Sequence, residues 1–135
     1  WNDRKYNLFV KVFGSRVSGD STAMMDLQTS SRRYYQRPDM VSSRLDSNRK
    51  SLSGHGGNIS FGKFSHSGWN FMGWVSWLSP GLELNDIGFL RNSDQITQIF
   101  WTNYSSPQPV GILRSYNFSA AQWNAWNFDG IHTNS

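Results

Sequence analysis

The sequence predicts an all-β fold, an antiparallel meander forming part of a transmembrane β-barrel with long extracellular loops. Three observations predict it. Aromatic residues, seven of them tryptophan, are spread through stretches in which apolar and polar side chains alternate. Long and short links take turns between those stretches, as they do where antiparallel strands reverse at opposite faces of a bilayer. Mean hydropathy is negative and no apolar run approaches the ~18 residues of a spanning helix. Any crossing must therefore be made by strands, which need only alternate apolar side chains.

Taken in order, the strand candidates are Lys5 to Ser18, Leu52 to Phe64, Trp69 to Ser79, Asp94 to Tyr104, Val110 to Ala120 and Gln122 to Phe128, with the last two readable as one long strand. The first link, Gly19 to Ser51, is long and the second, Ser65-His66-Ser67-Gly68, is tight. The third, Pro80 to Ser93, is long again, and the fourth, Ser105 to Pro109, is short.

On the first strand Tyr6, Leu8, Val10 and Val12 share a face opposite Asn7, Lys11 and Ser15, although Phe9 and Phe13 join the polar side. On the second, Ile59 and Phe61 oppose Asn58 and Ser60. The third is the clearest: Trp69, Phe71, Val75 and Trp77 are the membrane-facing set, with Asn70 and Ser76 on the other side and Met72 and Trp74 pointing inward. From Trp69 to Trp77 the chain climbs ~26 Å at ~3.3 Å per residue, or ~19 Å along the normal after a tilt of ~45°. That approaches the spacing of two aromatic girdles. The fifth strand fits less well, because Arg114 shares a face with Val110, Ile112, Tyr116 and Phe118. A lipid-facing arginine costs ~2–4 kcal/mol at the midplane, so either it lies near an interface or the register there differs.

The 135 residues suit one unit, yet a barrel needs about eight strands. Residues 1–135 are therefore expected to be a single segment of a larger outer-membrane barrel, with the remainder of the barrel chain as its nearest partner. The absence of cysteine removes disulfides and thiolate metal sites.

The first long loop carries the densest chemistry. Arg32, Arg33, Arg37, Arg44, Arg49 and Lys50 are interleaved with Tyr34 and Tyr35 and set against Asp20, Asp26, Asp39 and Asp46. Thr22 to Leu27 can form one helical turn capped by Ser21 or Thr22. Extracellular arginines can grip lipopolysaccharide phosphates bidentately; alternatively they pair with the loop's own aspartates and hold it in place, and this second reading takes precedence. In the second long loop Pro80-Gly81 ends a strand, since proline cannot donate to the ladder, and Asn85-Asp86 before Gly88 is a turn-forming cluster. Together the loops supply a candidate binding set of Arg32, Arg33, Tyr35, Arg37, Asp39, Asn85 and Asp86.

Other function classes can be weighed on the same residues. A soluble β-rich carbohydrate-binding module, with Trp and Tyr stacking on sugar rings, is the alternative. Gly19-Asp20-Ser21, Asn85-Asp86 and Asp129-Gly130-Ile131-His132 fall in the order of the blocks of the Gly-Asp-Ser serine esterases. In that site Ser21 would attack, His132 act as base, Asp129 orient it and Asn85 steady the oxyanion. Such enzymes need a parallel sheet with helices between strands, and no such helices are written here. No catalytic residue and no cofactor are assigned. His55 and His66 lack partners at ligand spacing, so no metal is expected. A formal charge of +4 is too small and too spread for nucleic acid.

The run Tyr34 to Asp39, the stretch Ser51-Leu52-Ser53-Gly54 followed by Gly56-Gly57, and above all Ser79 to Phe89 resemble an outer-membrane family of Gram-negative bacteria. That family is a domain of unknown function, usually found C-terminal to a family-9-type carbohydrate-binding module. The resemblance covers most of Arg16 to Asp94 and weakens beyond it. It implies a β-barrel in the bacterial outer membrane, in contact with lipid and lipopolysaccharide, anchoring or passing material for a glycan-related protein. The carbohydrate-binding module itself is not within this sequence.

Overall fold

The computed structural model describes residues 5–31, 33, 35–38, 41, 43–84 and 90–134. Its elements are β1 (Tyr6–Ser18), α1 (Ser21–Thr29), β2 (Ser51–Lys63), β3 (Gly68–Leu78), β4 (Gln95–Ser106), β5 (Tyr116–Trp126) and β6 (His132–Asn134). The six strands form one open sheet in chain order, every neighbour antiparallel. The described residues of 19–50, 79–94 and 127–131 therefore lie at one end of the sheet, and residues 64–67 and 107–115 at the other.

Register carries the two faces across the strands, because a side-chain period of two puts paired residues on the same side. Leu8 pairs with Phe61 and Val10 with Ile59, and Ile59 with Val75. Trp69 pairs with Tyr104 and Trp77 with Ile96, and Tyr104 with Phe118. These residues make an apolar and aromatic face across the sheet, interrupted on β4 and β5 by Gln98, Thr102, Gln122 and Asn124. The second face holds Asn58 against Ser76, Ser76 against Thr97 and Asn70 against Asn103, with Trp74, Ile99 and Trp123 in one row across β3, β4 and β5.

Three expectations are corrected. Residues 110–115 are not strand: Val110 and Leu113 close a small bridge around Gly111, whose φ of 60° suits glycine. Arg114 thus sits in the connection and its apparent place on the apolar face disappears, while Tyr116 to Trp126 form one strand. A short β6 follows that alternation alone did not reveal. The helix runs longer than one turn and is capped by neither Ser21 nor Thr22; Asp20 accepts from the Ala23 amide at 2.7 Å, satisfying an otherwise unpaired N-terminal donor.

The buried side chains gather at the loop end. Met24 on α1, Tyr35 and Leu52 form a small cluster with Val17 and Leu27 against it, and Leu82 and Leu90 are buried in the second loop. Gln28 ties the helix to the loop's far side, donating to the Asp46 carbonyl and accepting from the Asp46 amide, both at 2.9 Å. By contrast Leu8, Val10, Val12 and Phe118 on the apolar face are all more than half exposed. Among the described residues, then, the sheet does not bury this face within the chain.

Candidate functional site

The loop end is assembled by ionic and polar contacts between segments far apart in sequence. Arg33, in the first loop, has a side chain with no exposed surface. One of its terminal nitrogens donates to the Leu82 carbonyl at 2.6 Å and to the Glu83 carboxylate at 2.7 Å. The Glu83 amide in turn donates to the Ser15 hydroxyl on β1 at 2.8 Å. Arg37 pairs with Asp94, whose other carboxylate oxygen accepts from the Phe128 amide at 2.8 Å. Asp94 is buried and holds a positive φ of 59°, a conformation that aspartate tolerates better than most residues. Asp129 accepts from the Val41 amide at 2.9 Å. The three loops are thereby drawn into one cap over the end of the sheet.

Glycines let the second loop lie directly on β2. A methyl group at Gly54 would come within 2.1 Å of the Leu82 amide nitrogen, and one at Gly81 within 2.1 Å of the Ser53 carbonyl oxygen. Backbone meets backbone here, so neither neighbour can yield by rotating a side chain.

Of the residues singled out by sequence, Arg33, Tyr35 and Arg37 belong to this cap. Tyr35 is buried beside Met24 and Leu52, and burial pushes its phenol above the ordinary value, with the Arg33 and Arg49 charges pulling partly back. The acidic partners of Arg33 and Arg37 are Glu83 in the second long loop and Asp94 just before β4, whereas Arg49 approaches an aspartate of its own loop, Asp46, at 3.9 Å. Arg32, Asp39, Asn85 and Asp86 lie outside the described residues. Glu83 was within the most specific sequence stretch, but nothing local marks it as an arginine's partner 50 positions away.

The esterase pattern is not assembled. Ser21 opens α1, whereas the His132 Nε2 meets the Asn124 side chain at 3.3 Å and its ring packs edge-on against Trp126 at 5.7 Å.

Beside the cap, a cleft of about 320 Å³ opens on the second face, lined by Arg37 and Asp94, Gln95 and Thr97, and Trp123 and Asn134 among others. Trp123 was not among the residues the sequence pointed to, because its place beside Ile99 and Trp74 is set by strand pairing and not by the period of its own strand.

The apolar face carries an aromatic row at each end. At the end of the short connections Trp69 packs on Tyr104 at 5.1 Å and Tyr104 on Tyr116 at 6.0 Å. At the loop end the Trp77 indole N–H donates to His55 Nδ1 at 3.1 Å, in line with Trp126 and His132 across the sheet. Gly57 makes room for Trp77, whose ring a methyl group would meet at 2.7 Å. Of the expected membrane-facing set, Trp69 and Val75 are exposed and Phe71 and Trp77 half-buried; all four share this face.

A family model described as a domain of unknown function (DUF5916) matches residues 10–133. The match runs from within β1 to β6, well past Asp94, where the motif resemblance weakens. No curated protein and no solved structure matches the chain.

Proposed function

The chain belongs to this family of domains of unknown function, and from that premise we propose that it forms consecutive strands of a bacterial outer-membrane β-barrel. Its apolar face meets lipid and its cap stands at the extracellular end. The observation that carries the reading is the apolar face itself. Leu8 (61% exposed), Val12 (65%) and Phe118 (64%) lie on strands at opposite sides of the sheet, with Ile59, Phe61, Val75 and Phe100 exposed between them. A soluble monomer rarely leaves an apolar patch beyond a few hundred Å² uncovered. A bilayer covers it at no cost, and aromatic rows at both ends are what the two lipid–water interfaces select.

The sheet's edges support the same reading. Among the described residues β1 has no strand on its outer side, and β6 pairs with β5 only at Ala125 and Trp126. Long unpaired edges are templates for aggregation, and a barrel removes them by closing. In this reading the further strands come from the rest of the same polypeptide, and the role of this segment is anchoring or passage for a glycan-related protein. Lipopolysaccharide is the partner at the cap, where Arg44 and Lys50 remain exposed while Arg33 and Arg37 are engaged in holding the loops.

The test is insertion. Reconstituted into phosphatidylcholine vesicles, the full-length protein should float with the lipid, and bromine on the acyl chains should quench a large part of its tryptophan emission. Protein left in the aqueous fraction, with emission indifferent to bromination, would rule the barrel out.

A further inference from the structure

We propose that the cleft between the cap and β6 is a subsite for a neutral saccharide, with the Trp123 indole as the platform for one sugar ring. The cleft's volume of about 320 Å³ lies at the lower end of the range for small-ligand sites, ~300–1,000 Å³. It is therefore sized for a short length of chain.

Three features set the ligand's chemistry. Trp123 is 46% exposed on the second face of the sheet, where its neighbours along β5 are Ala121 and Ala125. A half-exposed indole flanked by small residues presents an open, flat apolar surface, and the C–H face of a pyranose ring is the matching shape. The amides of Asn92 and Gln95 line the same cleft. An amide offers both donors and an acceptor, as a sugar hydroxyl does, so a ring seated on Trp123 has partners for its edge. Among the described residues the charged side chains that line it are Arg37 and Asp94, which are paired with each other, and Asp94 also holds the Phe128 amide. The pair adds no net charge to select a phosphate, a carboxylate or an ammonium group, which argues for a neutral ligand over an ionic one.

The site needs the cleft and not the membrane. Within a barrel the second face is the lumen and the subsite stands at its mouth, but Trp123 points away from the face that carries Trp69 and Trp77. Saccharide binding and lipid insertion are thus read on different tryptophans, and one can fail without the other.

The experiment is a calorimetric and tryptophan-emission titration of the full-length protein with maltohexaose, cellohexaose, xylohexaose and mannohexaose, and with hexagalacturonate as an acidic probe. At least one neutral hexasaccharide should bind saturably. Trp123→Ala should weaken it by about tenfold, the loss expected for one stacking partner, and Gln95→Leu should weaken it by a smaller factor. Phe64→Leu should leave it unchanged, since Phe64 follows β2 at the end of the short connections, away from the cleft. If Trp123→Ala does not fold, Trp123→Phe, which keeps a smaller platform, should lose part of the affinity and Gln95→Leu completes the test. No binding by any of the neutral probes, equal binding of hexagalacturonate, or affinity unaltered by changes at Trp123 and Gln95 would overturn the assignment.

Discussion

The Arg33 guanidinium lies 2.7 Å from the Glu83 carboxylate with its side chain wholly out of solvent, joining the two long loops by a buried ion pair. Such a pair is a weak source of net stability, because desolvating both charges offsets their attraction, yet losing one partner strands the other.

Glu83→Ala should therefore cost ~3–5 kcal/mol, read as a lowered urea midpoint of the loop end. Glu83→Gln, which keeps a hydrogen-bond acceptor for Arg33, should cost less. Equal losses for the two variants would mean that the charge is irrelevant at this contact.

Gly54→Ala tests the seating of the second loop on β2. The added methyl group would sit 2.1 Å from the Leu82 amide nitrogen, so the loop must lift. A destabilisation at or above the ~1–3 kcal/mol usual for overpacking is expected, with the Ser79 to His55 hydrogen bonds losing protection in amide exchange. Gly73→Ala is the control, since the nearest atom there is a Phe100 ring carbon at 3.9 Å, and it should be close to neutral.

Tyr35 makes an alkaline prediction. Burial raises its pKa above the ordinary value, so the folded state holds the phenolic proton more tightly than the unfolded chain. Its contribution to stability is complete below about pH 10 and is lost as pH rises through the higher folded value. Ultraviolet titration should show a late tyrosine step that Tyr35→Phe removes, and the variant's stability should fall less steeply above that pH.

Ser21→Ala should leave any ester hydrolysis by the protein unchanged, because His132 is engaged with Asn124 and Trp126 and not with Ser21. Loss of a hydrolytic activity in this variant would reopen the esterase reading.

The sheet was legible in the sequence where two independent signals agreed. Alternation and link length together placed β1 to β4 to within a residue or two, and the apolar set on β3 followed from period alone. They failed at 110–115, where Val110, Ile112 and Tyr116 keep the period of a strand while Gly111 turns the chain; a two-residue period says nothing about φ. The three-residue β6 is too short to show a period. At the loop end the cluster of arginines was visible, and Asp46 beside Arg49 with it, but the partners of Arg33 and Arg37 were not. Glu83 and Asp94 become neighbours of Arg33 and Arg37 only when the meander brings both long loops to one end, and Trp123 joins Gln95 and Asn134 only through the pairing of β4, β5 and β6.

The most direct test of the central claim uses the absence of cysteine from residues 1–135, with any cysteine elsewhere in the polypeptide replaced by serine. Single cysteines placed in turn along residues 69–78 of the full-length protein in lipid can carry a nitroxide, whose collisions with oxygen and with a water-soluble nickel chelate report lipid and water separately. The account predicts a period of two, with positions 69, 71, 73, 75 and 77 favouring oxygen and the alternate positions, Ser76 among them, favouring the nickel chelate. If the odd positions collide freely with the nickel chelate, or are shielded from both reagents as in a soluble core, that face does not meet lipid and the barrel assignment is wrong.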